Sequence, residues 1–506
     1  MEPQSKPISK HWRRCCRLAA SGVFICGVAP YLAAAAPEPA PGATETSISM
    51  IGPAMDTGLE GYTKSEVQRV FRKGLNVSVA PTRNSEESRA GSKDVVVIGT
   101  LRNNDALRRL VDDGFLREIA KAQGYSLRCA PHPRHHDRWV LAILGADDCG
   151  ALYGLRDLEH YHLKRFKVSG PKVMVDGFSA ADYPRIEYRA HWVWGVNMPD
   201  KRTWLENMSR WKLNELIHWD NFPPAKAKEY VEFAHSRGIR LVWGFGWGWN
   251  PDWNFKLPPE FDHGVGAGVQ VCSSSEFNRA FFRREILKKV RELYVPTGCD
   301  GIYFQSFTEM PKCQCDKCRD KAMGRLLLEF VSPIVADIKQ EFPDLWVSCG
   351  VHANYGVYNE LKQLDPRCNL YWENCDSGTS IRGGDEDFGY INKMVPYGGG
   401  FTRTCPADPS YTEESLLAWI QSNEKKYTLP GSREAYYDYL RNMQRWSRQL
   451  LGRPSTHKHA CCVGDHSVFC RRTPFLHLAL AEALWNPERD AQGQADAMVD
   501  FLGLRL

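Results

Sequence analysis

The sequence carries little excess charge. Its 65 Lys and Arg are set against 60 Asp and Glu, a formal net charge of +5 over 506 residues. A balance this close argues for neither a nucleic-acid partner nor a membrane surface, because both need a strong basic field. Three common motifs are also missing: a phosphate-binding glycine loop, a dinucleotide fingerprint and a Ser nucleophile elbow. Nucleotide chemistry and serine hydrolysis therefore have no motif to rest on. No internal repeat is present. What remains is an ordinary globular composition, 43% hydrophobic and 11% aromatic, with room for two domains or one large domain with an annex.

The N-terminus reads as a targeting segment. Arg13 and Arg14 precede an apolar run at 18–36 that ends in four alanines, with Pro-rich sequence at once after it. That order matches a signal peptide over residues 1–36. A membrane anchor is the competing reading, opposed by the Gly, Pro and Cys inside a short run. The Arg pair also admits a twin-Arg signal. Export to the periplasm or the extracellular space is expected, with no stable membrane insertion after cleavage. Three of the 17 cysteines fall in this segment. Export permits disulfides among the others, but a chain this large does not need them.

Residues 37–60, rich in Ala, Pro, Gly and Ser, are expected as a linker. From 61 to 178 the pattern is mixed. A β-branched run at 94–99 (DVVVIG) precedes a helical spacing at 104–119. Further strands are expected at 125–129 and 139–144, then a helix over 147–161 capped by Asp147. Together they predict a small α/β domain. From 179 to 506 long β/α alternation takes over. Strands are expected at 189–194, 215–219, 239–245, 301–307, 346–350, 369–372, 399–404 and 458–463. Amphipathic stretches separate most of them, the last helix is expected at 474–484, and the segment from Pro487 reads as an appendage. Eight such strands predict a (β/α)₈ barrel.

The organising stretch is 299–318, CDGIYFQSFTEMPKCQCDKC. A short aromatic run bounded by turn residues suits a strand buried on both faces. Glu309 follows where that strand should stop, and barrel enzymes keep catalytic groups at such ends. A capping or surface ion-pair role is the plainer alternative. Strand counting gathers further groups at the same mouth: His218, Asp220 and Trp247 after strands two and three, His352 and Asn354 after strand five, Glu373 after strand six, Arg403 after strand seven. Aromatics suit the C–H face of a sugar ring, polar groups suit its hydroxyls, and two carboxylates supply acid and base or nucleophile. The expected partner is an oligo- or polysaccharide. The loop with Cys313, Cys315 and Cys318 has the density of a metal site but no evident fourth ligand nearby. A loop staple or free thiols are expected there, with no metal and no other cofactor.

Residues 184–189 (PRIEYR), 212–220 (KLNELIHWD) and 234–245 (AHSRGIRLVWGF) resemble successive elements of the family-20 glycoside hydrolases, the β-hexosaminidases. Residues 147–158 resemble the end of their small N-terminal domain. The α-glucuronidases share a similar two-domain layout. The resemblance implies a catalytic barrel after the small α/β domain, a strand-one Arg189 that binds sugar hydroxyls, and Glu309 as general acid. It departs at Thr308, where the hexosaminidases place an Asp that orients the substrate acetamido group. An α-glucuronidase-like pair, Glu309 as acid with Glu373 as the separate carboxylate, is therefore expected. A β-N-acetylhexosaminidase and a barrel that binds glycan without cleaving it are the alternatives. The GGDE at 383–386 copies a hexosaminidase motif, but after strand six, and reads as a chance match.

Overall fold

A computed structural model describes residues 46–82, 94–194, 201–219, 223–246, 255–266, 271–305, 311–352, 363, 365, 367–374, 388–392, 433–451, 459–463 and 474–504. The expected signal segment lies outside them.

The first layer is a six-stranded sheet. Its strands are β1 (Ser47–Ile51), β2 (Ser78–Pro81), β3 (Val95–Gly99), β4 (Tyr125–His132), β5 (His135–Gly145) and β8 (Phe178–Asp182), in the order β2-β1-β3-β5-β4-β8. β6 (Phe166–Ser169) and β7 (Lys172–Val175) form a separate hairpin. β3 is buried at every position. Its alternate side chains feed two cores, Val96 and Ile98 on one face, Val95 and Val97 on the other. Helices α1 (Gly58–Leu75) and α3 (Asp148–Asp157) close the first face and α2 (Asp105–Asp112) the second. The expected cap forms: Asp147 accepts from Gly150 N at 2.7 Å and so satisfies an otherwise unpaired helix donor.

The sheet corrects the domain boundaries. Residues 47–51, expected as linker, are a strand whose neighbours on either side are parallel. The Ala/Pro/Gly/Ser content of the region hid a short alternating run, buried at Ile48 and Met50. At the other end β8 runs past 178 and pairs with β4, so the domain continues to Asp182.

The second layer is a closed parallel barrel. Its strands are β9 (Tyr188–Trp194), β10 (Glu215–Trp219), β11 (Arg240–Gly246), β12 (Gly301–Gln305), β13 (Trp346–His352), β14 (Cys368–Asn374), β15 (Phe388–Asn392) and β16 (His459–Val463). β16 pairs with β9 and completes the ring. Around it stand α4 (Lys201–Arg210), α5 (Ala227–His235), α6 (Glu276–Lys289), α7 (Met323–Glu341), α8 (Arg433–Leu451), α9 (Pro474–Trp485) and α10 (Ala491–Leu502). α7 shows why they dock. Leu327, Phe330, Val331, Ile334 and Ile338 recur at helical spacing and are all buried in the main core.

Two further expectations change here. The seventh strand is Phe388–Asn392, not 399–404, and Arg403 lies outside the described residues. The segment after Pro487 is no appendage, because α10 buries Ala495, Met498 and Val499 in the main core.

The two layers share side chains. Trp485, the last residue of α9, belongs to the core of the N-terminal sheet. Its ring stacks on Tyr125 and meets Tyr153 edge-on, and its indole N–H donates to Asp182 at 3.2 Å.

Candidate active-site mouth

Side chains of a barrel strand alternate between the interior and the helical layer. The interior set includes Ala190 and Trp192 from β9, Ile217 and Trp219 from β10, Val242 from β11 and Tyr303 from β12. Three of these are large aromatics. Trp192 meets Trp219 at 5.3 Å between ring centroids, and Tyr303 lies 6.1 Å from Trp219 and 6.5 Å from Trp192. Gly244 lies against the same cluster: a Cβ there would meet the Trp219 backbone and the Tyr303 ring at 3.4 Å, an ordinary van der Waals contact. Trp219 is the final residue of β10, so the aromatic cluster reaches the C-terminal end of the barrel.

The same alternation corrects His218. It lies on the outer face, fully buried, with Nδ1 3.2 Å from the Tyr230 hydroxyl on α5 and its ring against Trp243. Burial, aided by Lys201, pushes its pKa down to about 3. A neutral imidazole packed between strand and helix does not reach the mouth. His191, one residue from inward Trp192, likewise faces a helix and meets His477 of α9 at 3.1 Å.

Arg189 is corrected by its place along the strand. It is the second residue of β9, at the end opposite the mouth. Its guanidinium is fully buried. It donates to the carbonyls of Lys212, Ile186 and Glu187 at 2.7, 2.8 and 2.9 Å, and to Gln123 Oε1 at 2.9 Å. Three of these bonds tie the start of the barrel together and the fourth, to Gln123, reaches the N-terminal domain, so the guanidinium is occupied at the end of the strand away from the mouth. Nearby Asn214 joins it, accepting from Arg189 N at 2.7 Å and donating to Glu187 O at 2.9 Å. Lys212 donates to Asp157 at 2.5 Å and pairs with Glu482 at 2.8 Å. The resemblance at 212–220 thus begins with residues that dock two layers.

At the mouth itself, the backbone of His352, the last residue of β13, lies in register with Glu373 near the end of β14. The two expected site residues occupy adjacent strand ends. Glu309, Asp220, Trp247 and Asn354 lie outside the described residues, as does the GGDE segment. In sequence Glu309 comes four residues after Gln305, the end of β12, the fourth barrel strand.

The three loop cysteines meet a fourth. Cys272, just before α6, places its Sγ 3.7 Å from Cys315 Sγ and 3.8 Å from Cys318 Sγ. With Cys313, the four sulfurs all lie within 4.8 Å of one another. None is in a disulfide. Sequence spacing missed Cys272 because it precedes Cys313 by a whole helix and strand. The usable signal was topological: the loops after adjacent barrel strands are neighbours, and Cys272 follows strand three as Cys313 follows strand four.

No family model matches the sequence, and no curated protein sequence matches it. Solved structures do. A β-N-acetylhexosaminidase from Bacteroides fragilis superimposes with a TM-score of 0.50 at 15% identity, over 88% of this chain and 87% of that one. A Streptomyces plicatus β-hexosaminidase, solved with its product GlcNAc, gives 0.52 at 12% identity over 91% and 92%. A Flavobacterium johnsoniae chitobiase gives 0.52 at 13% identity, over 91% of this chain and 70% of that one. The likeness establishes the fold: a small α/β domain followed by a closed barrel, as in the family-20 glycoside hydrolases.

Proposed function

We propose that the protein is an exported glycoside hydrolase in which Glu309 is the general acid and Glu373 the second carboxylate. The observation that carries the reading is positional. The barrel has the fold of a glycosidase family, and in sequence a Glu follows its fourth strand while another belongs to the end of the sixth. A general acid at such a site needs a desolvated setting, which disfavours its charged form and keeps its proton near neutral pH. Trp192, Trp219 and Tyr303 are buried and fill the barrel interior, a packed apolar floor under the mouth. Asp220, Trp247, His352, Asn354 and Arg403 are the proposed partners of a sugar's hydroxyls and outer faces.

Thr308 supports this reading over a hexosaminidase. It is neutral, and it stands where the hexosaminidases have the Asp that supports a charged acetamido intermediate. Hydrolysis with two enzyme carboxylates and no substrate assistance follows, in an α-glucuronidase-like layout. The likeness to hexosaminidase structures favours β-N-acetylhexosaminidase as the second reading.

A panel of natural oligosaccharides and aryl glycosides tests the proposal. The wild type should cleave at least one sugar class, and Glu309→Gln should lose roughly 10²–10⁴-fold on the natural substrate. The loss should be much smaller on an aryl glycoside, whose leaving group needs little protonation. Wild-type rates on both substrates in the variant would remove Glu309 as the acid. Glycan binding without cleavage by the wild type would leave a binding barrel.

A further inference from the structure

We infer that Cys272, Cys313, Cys315 and Cys318 form a structural zinc site that ties the loop after barrel strand three to the loop after strand four.

The four sulfurs lie close enough together to share one tetrahedral ion. Four sulfurs about 2.3 Å from one zinc ion stand about 3.8 Å apart along each edge. Cys272 Sγ lies 3.7 and 3.8 Å from two of its partners, and no pair among the four exceeds 4.8 Å. Disulfide bonding would need about 2.05 Å within a pair and would divide the four into two couples. Here one sulfur is close to two others at once. Four thiolates fill every position of a zinc ion, which marks a structural site, since a catalytic one keeps a position open.

The surroundings fit the charge. Binding one zinc ion releases four thiol protons and leaves a centre of net charge −2. Cys313 Sγ accepts backbone N–H bonds from Val265 at 3.2 Å and Cys315 at 3.4 Å. Such donors delocalise thiolate charge. Lys312, Lys317, Arg319 and Lys321 crowd the same short loop against Asp316 and Asp320, an excess of positive charge beside the cluster. Cys272, Cys313 and Cys318 are buried, so the site is shielded from solvent on three corners.

The cage is also held from outside. Asn278 on α6 donates to Cys272 O at 3.0 Å and to Asp262 O at 2.8 Å. Gln314 N donates to Val265 O at 2.7 Å, and Ser274 Oγ to Lys317 O at 3.3 Å, both across the two loops. Ligands positioned by bonds that do not involve the metal lower the ordering cost of binding it.

The site stands independently of the proposed hydrolysis, and its test uses no substrate. The full chain, purified without chelator, is measured by native mass spectrometry and elemental analysis. One zinc per chain is expected, released when a mercurial titrates four thiols. Cobalt exchanged into the site should show the absorption of tetrahedral thiolate coordination. Cys315→His, which keeps four ligands, should retain zinc; Cys315→Ala should bind it at least about 100-fold more weakly. Glu309→Gln should keep full zinc content, so a failure of catalysis and a failure of this site read differently. Iron in place of zinc, disulfides between these cysteines, or four freely alkylated thiols in metal-free wild-type protein would each overturn the inference. The wild-type measurement decides even if Cys315→Ala does not fold.

Discussion

Arg189 sits in a motif that resembles a sugar-binding element, yet its donors are consumed by Lys212, Ile186, Glu187 and Gln123. Residue type carries no information about which end of a strand a side chain occupies, and that end decides its role. His218 fails for a related reason. A period of two sends neighbouring side chains to opposite faces, so inward Trp219 commits His218 to the helices. Arg189→Met is expected to leave buried carbonyls without donors and to cost about 3–5 kcal/mol of stability. KM for any substrate the wild type cleaves should stay within about twofold. Denaturant midpoints and steady-state kinetics on the same preparation check the two halves of that statement. A large rise in KM at unchanged stability would return Arg189 to the binding site.

Among elements, those with strong internal periodicity were legible. β10 occupies the strand expected at 215–219, and α9 runs one residue past the helix expected at 474–484. β15 was not legible. Its five residues, FGYIN, come straight after the polar GGDED stretch at 383–387 and carry a Gly inside the run, so no clear strand pattern stands out. β1 was masked by the small residues before it. The cysteine site needed two loops from different elements, and no local spacing rule joins those. Element spacing also bears on stereochemistry. Glu309 follows β12 and Glu373 belongs to β14, with β13 between them. Neighbouring strands lie about 4.8 Å apart, so two steps separate β12 from β14 by about 9–10 Å. That span lies toward the range that leaves room for a water, about 6.5–9.5 Å between carboxyls, and retention needs about 5 Å. Inversion is the expected outcome. Proton NMR of the first product anomer during hydrolysis reads it directly, and initial formation of the substrate's own anomer would place the second carboxylate elsewhere.

At the scale of the whole molecule, the sheet domain and the barrel are joined by buried charge. Lys212 bridges Asp157 and Glu482, and Arg489 reaches Asp157 and Asp182, both at 2.7 Å. Burial pushes the Glu482 carboxyl up, but Lys212, His160 and Arg489 outweigh it and hold its pKa at about 2. Glu66 is likewise raised by burial and brought down to about 2 by Arg156, Arg69 and Arg210. These depressed carboxylates stabilise the fold above their unfolded values near 4.5, and the contribution is lost as pH falls toward 2. Buried neutral histidines act earlier. His218 and His477 are pushed down by burial to about 3 and about 4, so between pH 6.5 and 4 the unfolded chain binds protons that the folded chain refuses. Stability should therefore fall from pH 6.5 downward, by roughly 1–3 kcal/mol per pH unit near pH 5, and fall further below 4.5. Urea midpoints from pH 7.5 to 3.5 would show both stages; a flat profile between 6.5 and 5 would contradict the histidine account.

Trp485 has a consequence in time. It fills the core of the sheet domain and bonds to Asp182, 303 positions earlier in the chain. A ribosome makes the sheet domain first and the residue that plugs it near the end. Through almost the whole of barrel synthesis, Tyr125 and Tyr153 face an empty apolar socket. The sheet domain, made before the barrel, is finished only once the whole of α9 has been made.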